Sequence, residues 1–412
     1  MAINIKVRRI RALEGLPRFV YVMAVIAALG MAAGLFRLYA GLGNTTNLST
    51  VFPWGVWISF DLTNVAFSGA AFTLAMLVYI FHMHDLHPAI RPTVLFGFLG
   101  YLSVLVILFF DLGRWDRFWH FLVYPNLTSA LFEVSWCIAL YSGILAYEFS
   151  PVIFEKVKGG DRIIKVLGKI TIGMVIAGIT LSSMHQSSLG SLFVIQIHRL
   201  DPLWYSMMQP EFFLVSSLSA GISAIIIGSY LSIWLFKQTL NEKAVEKLGS
   251  LLPWFLGVYL VMKMADFILG AKWNLLVANG FLSVLYLVEF ILFLFAAIWF
   301  SIRKLRATRK NSFYGALIVA VGILLNRFDV TWFAMKPLNG MVYFPSWMEL
   351  ALLVGVISGV LVVYTLTAHF LPVFSETLPI DGLPSSKYTA LQPTPSLRSL
   401  SPMSSLDSPG DE

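Results

Sequence analysis

Asp111-Leu112-Gly113-Arg114-Trp115-Asp116-Arg117-Phe118 stands between two long apolar runs, 92–113 and 127–150. Four of its eight residues are charged, in a chain whose overall charged content is 12%. Each flanking run reaches the ~20 residues that a helix needs to cross ~30 Å of hydrocarbon. The octapeptide therefore reads as a polar turn at a membrane surface, joining two spanning helices.

Working outward, the runs 54–82 and 166–188 bracket this pair, and each of the four carries an ionisable residue: Asp61, Asp111, Glu133 and His185. The remaining runs are 19–41, 208–236, 250–270, 276–302, 312–329 and 346–371. The expected fold is an all-α polytopic membrane protein with ten transmembrane helices. The run 312–329 is short and ends in Asn326-Arg327-Phe328-Asp329. Phe52-Pro53-Trp54 and Gln209-Pro210-Glu211 open two similar four-span blocks, so two four-helix bundles are expected at 54–188 and 208–329. The runs 19–41 and 346–371 are then peripheral. Residues 1–18 read as a basic cytoplasmic segment. The Ser- and Pro-rich tail 375–412 has too little apolar content to offset its ordering entropy and reads as a disordered cytoplasmic tail.

Composition agrees. The chain is 58% hydrophobic with a mean hydropathy of +0.78, and has no room for a large soluble domain. Its net charge of +7 does not point to nucleic acid, because the basic residues collect in alternate loops. With ten spans, 21 Lys and Arg fall on the side of the termini and seven on the other, with Lys263 inside a span. Such asymmetry places both termini in the cytoplasm. Cys137 is the single cysteine, so the chain has no cysteine set for an iron–sulfur cluster or c-type haem attachment.

In this topology Asp61 lies in the outer third of its span, Asp111 at an outer end, Glu133 two turns in and His185 within a turn of the outer end. Ionisable side chains at the bilayer centre cost ~2.5–3.5 kcal/mol on an insertion scale, so they default to functional candidates. Asp61, Asn64 and Ser68 share one helical face, as do Gly178, Ser182 and His185; such stripes face a helix interior. Interhelical hydrogen bonding is the competing reading for each residue singly. Four at one level favour a ligand or proton site. Glu133, Cys137, Tyr141, Ile144 and Glu148 form another face, ~22 Å long, with a carboxylate at each end. It suits a proton path, although two unrelated polar contacts are the simpler reading. Tyr259, Lys263 and Asp266 share a face, with Lys263 and Asp266 at pairing distance along the helix. Glu289 needs a partner from another helix, and Lys263 is the candidate. Trp54, Trp57 and Trp115 either pack a ligand ring or form an interfacial aromatic belt. No two histidines lie deep in facing spans, as paired haem ligands do.

The octapeptide resembles the Asp-Leu-Gly-Arg-Pro-x-Arg-Phe motif of the NrfD/polysulfide-reductase family of membrane subunits, with Trp115 in place of the proline. Pro53-Trp54-Gly55-Val56-Trp57, His185-Gln186-Ser187-Ser188-Leu189-Gly190-Ser191, Pro202-Leu203-Trp204-Tyr205 and Asn326-Arg327-Phe328 are similar to its HybB-like ten-helix branch. The resemblance covers roughly 15–372. It implies a quinone-reactive subunit of a respiratory oxidoreductase in a prokaryotic inner membrane. Menaquinone or ubiquinone would be the bound substrate, with no haem or iron–sulfur cluster in this chain. It implies a ferredoxin-like iron–sulfur partner on the extracytoplasmic side and further redox subunits: a hydrogenase, a molybdopterin enzyme or a multihaem cytochrome. The isolated chain is not expected to turn over, and the branch leans towards quinone reduction. The catalytic positions fall on Asp111, Glu133 and His185, and Asp61, Arg114 and Trp54 are placed at the quinone. Tyr141, Glu148, Lys263, Asp266 and Glu289 are candidates for proton transfer. A secondary transporter or proton channel and a dihaem cytochrome b remain as alternatives.

Overall fold

Within hydrocarbon no water is available to the peptide groups, so each span must close its own backbone hydrogen bonds. The computed structural model describes residues 16–240, 242–336, 342–374 and 378–379. Among these, nine helices are long and apolar enough to cross a membrane, or ten if one bent pair counts as a span. In chain order they are α1 (Arg18–Ala40), α2 (Val56–Ile80), α3 (Ile90–Asp111), α4 (Ala130–Phe154), α5 (Thr171–Val194), α6 (Gln209–Phe236), α7 (Glu242–Leu269), α8 (Phe281–Ser301), α9 (Arg309–Phe328) and α10 (Trp347–Phe370). The segment 1–15 and nearly all of the tail 375–412 lie outside the described residues. Leu378–Pro379 forms a short antiparallel ladder with Gln238–Thr239.

The boundaries differ from the apolar runs where capping, rather than hydropathy, sets the helix end. Ser129 caps α4 by accepting from Phe132 N, so α4 starts at Ala130 rather than 127. α5 runs on to Val194, past the expected end at 188. The start of that run is split off as a helix at Gly160–Gly168, bent 63° from α5. It carries exposed Asp161, Arg162 and Lys165, the composition of an interfacial helix. The short run 312–329 is extended by a π-turn at Asp329–Phe333, giving 25 residues in all.

α2, α3, α4 and α5 pack in sequence, and α5 returns to α2 through Ala70–Ala75. α6 packs on α7 and α9, with α8 between those two. The sets meet where α6 lies on α2 and α5. The two described ends of the chain share a face: Phe19 stacks near Trp234, and Phe374 near Phe236. This is the face of the Lys- and Arg-rich connections, called the basic face below. The connections 112–129 and 195–208 lie at the opposite face.

α1 and α10 form the most intimate helix pair. Gly30 and Gly34 on α1, like Gly355 and Gly359 on α10, have the four-residue small-residue spacing that lets backbones touch within a bilayer. A Cβ at Gly30 would stand 2.5 Å from Gly355 Cα, whereas one at Gly359 would meet only Ala27 Cβ, at 3.8 Å. Gly30→Leu should therefore separate the pair and cost about 1–3 kcal/mol, the usual range for overpacking. Gly359→Ala should be neutral. Thermal unfolding in detergent checks both.

Candidate functional site

His185 is the histidine of the interior. It has no solvent exposure and lies nine residues, ~14 Å, before the end of α5, deeper than the single turn expected. Its Nδ1 is 3.1 Å from the Tyr101 hydroxyl of α3, while its Nε2 has no protein partner. Tyr101 in turn meets Tyr141 of α4 edge-on, with centroids 4.8 Å apart. The buried Ser182 hydroxyl, one turn from His185, lies beside the Tyr101 and Tyr141 hydroxyls.

Glu133 departs from expectation the other way. Because α4 begins at Ala130, Glu133 sits in its first turn, exposed, instead of two turns in. It still reaches α5: Ser188 Oγ donates to Glu133 Oε1 at 2.5 Å, and Ser188 is three residues from His185. Glu133 and Ser188 thus meet between α4 and α5 one turn from His185, whose own partner Tyr101 packs on Tyr141. Glu148 lies two turns beyond Tyr141 on α4. There a cavity of about 80 Å³, lined by Glu148, Tyr147, Thr171 and Val175 among others, has room for water near the basic face.

Asp61 and Asp111 form a separate pair. Asp61 is 3% exposed, and neither of its carboxylate oxygens has a protein partner. It lies within electrostatic reach of Asp111, which also faces Arg37 of α1 and Glu349 of α10. Arg37 had counted as a loop charge. Instead it is 1% exposed, donates from Nη2 to the Leu112 carbonyl at 2.6 Å, and leaves Nε and Nη1 unpartnered. The four residues expected at one level are therefore split: Glu133 meets Ser188, one turn from His185, and Asp61 lies near Asp111.

Arg114 points away from both. Its guanidinium forks onto Asp116 at 2.9 and 2.8 Å at the surface, and holds the Asp116 carboxyl down to about 2. Trp54 is half-buried, edge-on to Phe193 near the end of α5. Trp57 is core rather than belt: it is 2% exposed and donates to the Glu349 carbonyl. Trp115 is exposed and packs near Phe109.

In the second set of helices the expected Lys263–Asp266 pair does not form. Lys263 pairs with Glu289 of α8 at 3.4 Å, as foreseen for Glu289, while Asp266 takes Lys272 at 2.7 Å and Ser206 at 2.6 Å. Burial pulls the Lys272 pKa down, and the Asp266 contact opposes that shift. Glu289 also accepts from Trp204 Nε1, Tyr259 OH and Asn326 Nδ2, at 3.0, 3.1 and 2.9 Å. Two further residues escaped the sequence reading. Arg327, counted as a loop charge, is 1% exposed, lies over the Phe213 ring at 3.7 Å and donates to Ser216. Asp329, fully buried at the start of the π-turn, has no protein partner and lies near Glu289 and Lys263. The run Asn326-Arg327-Phe328-Asp329 was the available signal, since it puts two charges inside an apolar segment.

A family model described as Polysulphide reductase, NrfD matches residues 44–335. The chain belongs to the NrfD family. A Nitratidesulfovibrio vulgaris protein is 34% identical over 368 residues, covering 86% of this chain and 94% of that one. The probable Ni/Fe-hydrogenase 2 b-type cytochrome subunit of Escherichia coli K12 is 33% identical over 343 residues, 82% and 87% of the two chains. The menaquinone reductase integral membrane subunit of Nitratidesulfovibrio vulgaris is 27% identical over 380 residues, 84% and 89%. As an NrfD-family member the chain is a multi-pass membrane protein, in a family that includes integral membrane subunits of respiratory oxidoreductases. Its octapeptide, with Trp115 at the proline position, closes α3 and begins the exposed connection at the opposite face.

The Glu289 cluster gives a stability prediction for this NrfD-family chain. Lys263→Met removes the cation from a buried pair and should cost about 3–5 kcal/mol. Lys263→Met combined with Glu289→Gln should recover part of that loss, read as the shift in thermal unfolding midpoint in detergent.

Proposed function

We propose that this chain is the quinone-reactive membrane subunit of a respiratory oxidoreductase. It exchanges electrons between an extracytoplasmic ferredoxin-like iron–sulfur subunit and the menaquinone or ubiquinone pool, in the direction of quinone reduction. The observation that carries the reading is His185: buried, oriented by Tyr101, and with Nε2 free to meet a carbonyl oxygen. The relatives named as a menaquinone reductase subunit and a hydrogenase subunit support it.

Quinone reduction takes up two electrons and two protons. In this reading the head group docks at the opposite-face ends of α4 and α5, with Trp54 against the end of α5. His185 Nε2 donates to a carbonyl oxygen, and Tyr101 fixes the imidazole tautomer and tilt. Glu133, held by Ser188, exchanges protons with the opposite face. Tyr141 and Glu148 connect the site to the water-sized cavity near the basic face, which is taken as cytoplasmic. Both termini are then cytoplasmic, and the first bundle, 54–188, carries the chemistry. Asp61, with both oxygens partnerless, and Asp111, with Arg37 alongside, are the second place for proton exchange. Lys263, Asp266 and Glu289 are better read as structural, because each is hydrogen-bonded or paired. Arg114, held at the surface by Asp116, has no part in the site.

In the intact complex, His185→Ala should raise the quinone KM at least tenfold. Glu133→Gln and Glu148→Gln should lower turnover by about 100-fold or more with quinone affinity within roughly twofold, since positioned acid–base groups contribute on this scale. Wild-type rates in all three variants would move the head group to the Asp61–Asp111 pair. Sidedness is checked separately: Asn126→Cys and Lys387→Cys should label from opposite sides of the membrane, the first from the periplasm.

A further inference from the structure

A larger cavity, about 380 Å³, lies in the half of the molecule nearer the basic face. It is bounded by α2, α3, α6, α9 and α10, with Ala70, Phe96, Gly228, Ala320, Leu361 and Tyr364 among its walls. Its size falls in the range of small-molecule sites, about 300–1,000 Å³. The walls are hydrocarbon apart from a few hydroxyls, such as Ser229 and Tyr364, so they offer no polar array that would orient a head group. The cavity reaches the outer surface: Leu231 and Leu361, on its walls, are 42% and 45% exposed. Gly228 is exposed as well, and a Cβ added there would meet nothing within 4 Å. This opening faces the membrane sideways, between α6 and α10.

The charge lies at one end. α6 stops at Phe236, a wall residue, and Lys237 follows as its left-handed cap, φ 53°, exposed at the basic face. Phe236 packs with Tyr364 and Phe374 to close the cavity at that level, at ring distances of 6.2 and 4.9 Å. A hydrocarbon slot open at the lipid-facing side, with an exposed ammonium on the residue that caps α6 at the basic face, is complementary to one kind of molecule. We propose that the cavity holds an acyl chain of an anionic phospholipid, whose phosphate is held by Lys237. The lipid bridges the two helix sets at a seam their side chains do not fill. Cationic side chains near such a surface contribute on the order of 1 kcal/mol each to anionic-lipid attraction. The site is independent of the quinone reading, since none of the residues assigned to the head group line it.

Native mass spectrometry of the intact complex, extracted in mild detergent, tests the assignment. Wild type should retain one phospholipid on this subunit, and added phosphatidylglycerol should compete for it better than phosphatidylcholine. Gly228→Leu projects a side chain into the open slot and should lower retention at least tenfold, with the thermal unfolding midpoint unchanged in delipidated samples. Lys237→Gln should leave the chain in place but abolish the preference for phosphatidylglycerol. Three results would overturn the proposal: equal lipid retention in Gly228→Leu, no headgroup preference in wild type, or an isoprenoid quinone as the molecule that Gly228→Leu loses. Should Gly228→Leu fail to accumulate, the wild-type competition and the Lys237→Gln comparison decide the question.

Discussion

A charged side chain inside a bilayer needs a partner that lipid does not offer, and one on another helix both satisfies the charge and ties the helices together. In this chain the interhelical partners are the frame. Glu289 alone gathers groups from α7, from the connection before α6 and from α9. Glu349 does the same near the opposite face: it completes the α10 capping box with Ser346, accepts from Asn47 N and the Tyr343 hydroxyl, and gives its carbonyl to Trp57 of α2. Helix packing by apolar contact has little directional content in hydrocarbon. These nodes therefore set which helices are neighbours and at what rotation.

The same constraint separates scaffold from site. Glu289 and Glu349 are surrounded by donors, so their charge is used in holding helices together. His185 Nε2 and both Asp61 oxygens are as deeply buried but have no protein partner. Groups of that kind are where a substrate or water is needed to complete the hydrogen bonding. Both kinds of residue occur at comparable positions in the sequence, and only their surroundings tell them apart.

The helices were legible because a span leaves a long, local signal: some twenty apolar residues bounded by loop charges. What was not legible was non-local. The sequence pattern offered Lys263 two partners, Asp266 three residues away and Glu289 on another helix, without a ground for choosing, and the fold takes Glu289. Arg37 and Arg327 each lie near the end of an apolar run, where a loop charge is the simple reading, yet both are buried, bonded to the Leu112 carbonyl and to Asn326 and Ser216. Depth was misjudged for a local reason. The Ser129 cap shortens α4 by three residues at its start, and α5 continues six residues past its apolar run, which carries Glu133 outward and His185 inward. The Glu133–Ser188 contact, one turn from His185, was not foreseeable from spacing on either helix.

The contact between Gly30 and Gly355 bears on how the chain is made. α1 has its most intimate partner in α10, more than 300 residues later in the chain. During synthesis α1 stays beside lipid, with its small-residue seam uncovered, while eight other helices insert and find one another. Contacts of such long sequence separation form late and slowly. Closure of this seam is thus a final step of assembly. Any chain that stops before α10 retains an N-terminal helix with its chief packing surface open to whatever small-residue helix it next encounters, an unguarded route to misassembly.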